Sequence, residues 1–115
     1  MLQEINTDIW HRKEIFDFFC GFDEPYFGIT ADVHVSKAYQ CAKEKDISFF
    51  VYYLHCTLIA INQIDALKLR ILETKPVIFD TIHASATINR PDGSFGFSFI
   101  NFEEDLQVFD LDEVQ

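Results

Sequence analysis

The run Phe49–Leu72, FFVYYLHCTLIAINQIDALKLRIL, constrains this chain more than any other stretch. From Phe49 to Ile64 no position carries a charge, and polar side chains are few: Tyr52, Tyr53, His55, Thr57, Asn62 and Gln63. A helix that is apolar on every side belongs in a core, wrapped by other elements. The run is too short and too often polar to span a bilayer, which takes about 20 apolar residues. From Leu67 to Ile71 the apolar positions alternate with Lys68 and Arg70, so the helix hands over to a strand.

The segments on either side supply the wrapping. Residues 1–9 form an irregular or strand-like lead. Trp10–Phe19 places Trp10, Ile15, Phe16, Phe18 and Phe19 on one apolar stripe, with Arg12, Lys13, Glu14 and Asp17 elsewhere. This pattern predicts a helix capped by Thr7 or Asp8 and stopped by Gly21. Tyr26–Val35 alternates Ile29, Ala31, Val33 and Val35 with Thr30, Asp32 and His34, the signature of a strand with one buried face. Ser36 caps a second helix through about Lys45, and Asp46 and Ser48 start the central one, which ends near Gln63.

After a turn at Ile64–Ala66, a strand over Leu67–Leu72 meets a tight turn at Glu73–Pro76 and returns over Val77–Ile82. Ser85–Ile88 and Phe95–Phe99 flank Pro91-Asp92-Gly93. Pro presets φ and Gly accepts φ > 0, so these two runs form a hairpin. Asn101 with Glu104 has the pattern of a capping box. The last helix then turns Phe102, Leu106, Phe109 and Val114 inward. The element order predicts a single domain over residues 1–115, α/β or α+β, with helices layered on a mixed sheet.

Charge and cysteine usage narrow the partners. Nineteen acids against nine bases give a net charge of −10, which argues against nucleic acid and against an anionic membrane surface. Six acids and no base lie between Glu103 and Glu113, read as a solvated face. Cys20, Cys41 and Cys56 have no metal-ligand spacing, and an odd count suggests no disulfide framework. Cys56, mid-helix, acts as a small hydrophobe. Met1–Trp10 has no basic opening or apolar run, so the expected compartment is the reducing cytoplasm. Thirteen phenylalanines suit either a core or a ligand tunnel, with core packing the default for each.

Catalytic motifs are absent. There is no glycine-rich phosphate loop and no nucleophile elbow. His11, His34, His55 and His83 show no metal-ligand spacing, and no metal is expected. His34 falls on the wet face of its strand, and His55 is expected to be a satisfied core histidine.

Two segments resemble a known family. Trp10-His11-Arg12-Lys13-Glu14-Ile15-Phe16-Asp17-Phe18-Phe19 resembles the opening helix of chloramphenicol acetyltransferases, Trp-x-Arg-x-x-x-Phe-x-Phe-aromatic. Leu58–Ile71, LIAINQIDALKLRI, resembles that family's helix-to-strand passage. The Val77-Ile78-Phe79-Asp80 run and the Thr87–Phe97 hairpin follow in matching order. The resemblance implies the N-terminal half of an acetyltransferase sandwich. It also implies acetyl-CoA as co-substrate, a small-molecule acceptor and a homotrimer with its active sites between subunits.

The family's catalytic His lies in a His-His-x-x-x-Asp-Gly motif, which these 115 residues lack. No catalytic residue is therefore expected here, and the chain alone is expected to be inactive. The resemblance implies a supporting role for Arg12, pairing with the motif's Asp to steady the His. It implies acceptor contacts from Phe18, Phe19, Thr87 and Phe97. Phe19 stands where the family often has Tyr, and Cys20–Tyr26 departs from the family in length. The alternative is a non-catalytic, half-length module for ligand binding or assembly. The final helix has no stop signal and the sheet would keep a bare edge, so the expectation is that the chain is one part of a longer enzyme.

Overall fold

The computed structural model describes residues 1–113. Its elements are β1 (Leu2–Glu4), α1 (Lys13–Phe19), α2 (Ser36–Glu44), α3 (Phe49–Asn62), a 3₁₀ turn (Asp65–Lys68), β2 (Leu69–Leu72), β3 (Lys75–Phe79), β4 (Ala84–Asn89), β5 (Phe95–Ile100) and α4 (Leu106–Glu113). The fold class is α+β, as the element order predicts. The strands differ from expectation in their arrangement. All described pairings are antiparallel and form two separate sheets, β1-β3-β2 and β4-β5, where a single mixed sheet was expected. Tight turns join β2 to β3 and β4 to β5, and such short connections allow only antiparallel neighbours.

α3 is the centre of the molecule. The Ser48 Oγ accepts a hydrogen bond from the Val51 N–H and caps its first turn. Val51, His55 and Leu58 form its buried stripe. That stripe packs with Ile47, Ile100 and Phe109, and Ala84 and Ala86 of β4 close over the cluster. The helix is not covered on every side, however. Tyr53, Cys56, Thr57 and Ala60 form an exposed stripe one turn apart, so Cys56 is not the buried thiol expected from its apolar surroundings.

Local chemistry moved several boundaries. α1 starts at Lys13 with Arg12 as an N-cap that makes no side-chain bond, so neither Thr7 nor Asp8 caps it. Cys20 ends it in ordinary helical geometry, and Gly21 is not in the left-handed region. Ser36 is the first residue of α2, with Val35 as its N-cap. Asp105, rather than Asn101, caps α4: its Oδ1 accepts from the Gln107 and Val108 N–H groups at 2.8 and 3.3 Å. Phe102 and Leu106 are half-buried and Phe109 is fully buried, as the inner face requires. Val114 lies outside the described residues.

The largest departure is Tyr26–Val35, which forms no strand. Between Phe27 and His34 its backbone pairs with no other backbone among the described residues, and its alternating apolar side chains face solvent. Seven of the thirteen phenylalanines are exposed as well: Phe18, Phe19, Phe22, Phe27, Phe95, Phe97 and Phe99. Core packing therefore does not account for most of the aromatic content.

Candidate functional site

The β4–β5 hairpin has two unlike faces because side chains alternate along a strand. One face carries Ala84, Ala86 and Ile100 and packs against α3. The other carries Ser85, Thr87 and Asn89 opposite Phe99, Phe97 and Phe95. Thr87 and Phe97, two of the expected acceptor residues, are direct cross-strand partners on this outer face. Phe97 is 79% exposed, and Phe95 meets it edge-on at 5.9 Å. A row of three rings beside a row of short hydroxyl and amide groups can hold an apolar molecule that has a few polar substituents.

The turn that shapes this face is locked locally. The Arg90 N–H donates to the Ser94 carbonyl at 2.9 Å, and Gly93 takes φ 86°. Asp92 Oδ1 accepts from the Ser94 hydroxyl and N–H at 2.6 and 2.9 Å. These bonds favour the ionised carboxylate and hold Asp92 below its ordinary value of 3.8.

The hairpin's feet are fixed to α3. The Asn62 side chain meets the backbone of Ile82 twice: Nδ2 donates to its carbonyl at 3.0 Å, and Oδ1 accepts its N–H at 2.7 Å. At the other foot, Nε2 of the buried His55 lies 2.8 and 3.0 Å from the carbonyls of Glu103 and Glu104. Carbonyls only accept, so Nε2 carries the proton. Between the feet, His83 Nδ1 accepts the Phe102 N–H at 2.9 Å. His55 is thus the satisfied core histidine expected, and His83 is a backbone clasp. Asn62 and His83 were not singled out from sequence as structural ties, although Asn62 lies inside the Leu58–Ile71 segment.

The remaining expected residues lie on and before α1. Phe18 and Phe19 meet edge-on at 4.9 Å, and Phe22 joins both, at 5.6 and 5.1 Å. Phe22 had no signal in the sequence beyond its composition. The trio is exposed, and α1 buries no residue of its own. Lys13 is raised above its ordinary value by its hydrogen bond to Asp17, at 2.6 Å, and by that carboxylate's charge. Arg12 is exposed, with its guanidinium 5.7 Å from the Trp10 ring centre. The two residues border a mostly apolar pocket of about 220 Å³ that Asp65, Leu69 and Ile78 help to line. Arg12 makes no ion pair among the described residues. The structure therefore groups Thr87 with Phe97 and Phe18 with Phe19, and leaves Arg12 at a separate pocket.

Among the described residues no His, Cys, Asp or Glu side chains gather to hold a metal ion. No described helix is long and apolar enough to cross a membrane.

The fold has a counterpart among solved structures. A solved chloramphenicol acetyltransferase superposes with a TM-score of 0.86 at 34% sequence identity, over 97% of this chain and 53% of its own. The chain thus spans about half the length of that structure. No curated protein matches. The family model described as chloramphenicol acetyltransferase matches residues 1–114. The match runs through the Trp10–Phe19 and Leu58–Ile71 segments and on into α4, so the chain belongs to the chloramphenicol acetyltransferase family.

Proposed function

We propose that this chain is the N-terminal part of an acetyl-CoA-dependent O-acetyltransferase that acetylates a hydroxyl of a small apolar acceptor. The observation that carries the reading is the family match along residues 1–114, together with coverage of only 53% of the solved relative. The sequence has no adjacent histidine pair, so in this reading the catalytic base comes from the part of the fold these residues do not span. Arg12 is the positioning residue for that base, through an ion pair with a carboxylate supplied from the same part. Phe18, Phe19, Thr87 and Phe97 bind the acceptor. The assembled enzyme is a cytoplasmic homotrimer.

The chemistry assigned to the whole enzyme is direct transfer. The base removes the acceptor's hydroxyl proton, and the oxygen attacks the thioester carbonyl. The tetrahedral oxyanion collapses and expels the coenzyme thiolate, which takes up the proton. These residues hold the acceptor: the Phe face excludes water, and the Thr87 hydroxyl offers one polar contact.

Fusing residues 1–114 to the C-terminal half of the solved relative tests the reading. Free coenzyme thiol is followed with chloramphenicol and other small alcohols. The chain alone should release none, and the fusion should release it in an acceptor-dependent way. A folded fusion that retains the paired histidines and turns over no alcohol overturns the proposal and favours a binding or assembly module.

A further inference from the structure

The last pair of the β4–β5 ladder is Ala84 with Ile100. Two places further on, the same register sets Ile82 against Phe102, where an unbroken ladder would join backbone to backbone. Here it does not. The Asn62 side chain takes both the N–H and the carbonyl of Ile82. The Phe102 N–H turns instead to His83 Nδ1, at 2.9 Å, and has no backbone acceptor among the described residues. The next two residues are held by the other ring, since His55 Nε2 reaches the carbonyls of Glu103 and Glu104. Among the described residues, no other hydrogen bond ties 101–104 to the rest of the chain.

The two rings make opposite demands on a proton. His55 donates from Nε2 whether its ring is neutral or charged. His83 can accept at Nδ1 only while its ring is neutral with the proton on Nε2, because the charged ring has no free lone pair. His83 is exposed, so water delivers the proton to it, whereas His55 is buried. Imidazole is the side chain that ordinarily changes charge between pH 5 and 8. The charged groups nearest in the fold are Asp80 at the end of β3, Glu103, Glu104 and Asp105 of the connection to α4, and His55 itself. β4 and β5 carry none, and the ring of Phe99 lies 5.5 Å from that of His83. None of these groups forms an ion pair with His83 among the described residues.

We propose that His83 is a pH gate on the connection between β5 and α4. Closed, the neutral ring adds one side-chain rung to the hairpin and holds Phe102 where its ring stacks with that of His55, at 6.2 Å. Open, the charged ring releases the Phe102 N–H to water, and the connection hangs from His55 alone. The rung is present while His83 is neutral and is lost as pH falls and Nδ1 takes a proton. α4 stays docked in both states, because Phe109 remains in the core and His55 remains a donor. This device does not depend on the acetyltransferase reading.

The test is amide protection at Phe102 across pH in the 115-residue chain, together with the nitrogen shifts of the His83 ring. Protection factors divide out the intrinsic pH dependence of exchange. The range from about pH 8 to pH 5.5 spans ordinary imidazole titration and stays above ordinary carboxylate titration. The neutral His83 ring should carry its proton on Nε2. As the ring takes a second proton, Phe102 protection should fall about fivefold, the effect of losing one hydrogen bond of ordinary net strength. Ile82 and Val51, held by Asn62 and Ser48, should keep their protection. His83→Asn puts an oxygen that does not titrate where Nδ1 stands, so Phe102 should stay protected throughout. His83→Ala should leave it open throughout.

A neutral ring protonated on Nδ1 overturns the gate, as does Phe102 protection that ignores pH. Both are read in the parent chain, so neither variant has to fold for the answer. A fall that persists in His83→Asn assigns the effect to another group and overturns the gate as well. Parallel loss at Ile82 and Val51 means general acid unfolding in its place. Loss that spreads through 105–109 shows His55 letting go too, and the division between the two rings is then wrong.

Discussion

Replacing Asn62 with Ala should release the first foot of the hairpin. Asn62 is half-buried, and its amide acts as a strand would: it offers a donor and an acceptor to one residue, Ile82, at 3.0 and 2.7 Å. Its Nδ2 also lies 2.8 Å from the Leu58 carbonyl, inside its own helix, so the side chain is held at both ends. A net value of about 1 kcal/mol per bond makes the Ile82 pair worth about 2 kcal/mol, which is roughly a thirtyfold change in a local opening equilibrium. The assay is residue-resolved amide exchange at Ile82. The internal reference is Val51, whose amide is held by the Ser48 hydroxyl at the far end of α3. Exchange at Ile82 should quicken by about that factor while Val51 stays within a factor of two of the parent, since distant sites act independently. An unchanged Ile82 rate would show that something other than Asn62 protects it, and the account of the tether would be wrong. Acceleration at both amides would also refute it, because the effect would then be global.

Other expectations follow from the same geometry. His55→Leu keeps the apolar packing but removes the donor to Glu103 and Glu104, so α4 should loosen by about 1–3 kcal/mol, read as faster exchange through 105–109. Asp92 has a lowered folded pKa, so its contribution to the turn is present above its ordinary value of 3.8 and is lost as pH falls through the folded value; the Ser94 amide shift should report this, and Asp92→Asn should abolish the titration. In the fusion enzyme, Arg12→Ala should lower the turnover number about tenfold or more with little change in acceptor KM, as expected of a positioning residue. Phe18→Ala should instead raise the acceptor KM, and an effect confined to acetyl-CoA would contradict its assignment.

Much of the fold could be read from residue pattern because the signals were local. The hairpin follows from Pro91-Asp92-Gly93, where Gly93 does adopt positive φ. The extent of α3 follows from the Ser48 cap and the uncharged run after it. What failed were three inferences about what covers what. Periodicity says that a face needs a partner, not that the partner lies within the same residues. For that reason Tyr26–Val35 was expected as a paired strand, Cys56 as a buried thiol and most phenylalanines as core. The turn between β2 and β3 shows a smaller limit: Glu73 and Thr74 both take positive φ, at 50° and 68°, with neither Gly nor Asn to announce it. For the candidate site, Thr87 and Phe97 are legible only through the family resemblance, and the register that pairs them is set by the hairpin turn. The ties made by Asn62 and His83 join residues about 20 positions apart, so no short-range pattern encodes them.

The hairpin is moored at both feet to one helix, and its tip touches little else. That arrangement separates what selection must keep from what it may vary. Residues added or removed between Asn89 and Phe95 would lengthen or shorten a solvent-facing tip without passing strain to α3, since loop tips absorb such changes at small entropic cost. The distance from Thr87 and Phe97 to the helix would hold across such changes, whereas a deletion of one residue between Ile82 and Ala84 would turn the aromatic face inward. Among relatives of this chain, length polymorphism should therefore concentrate at the tip and be nearly absent at the feet.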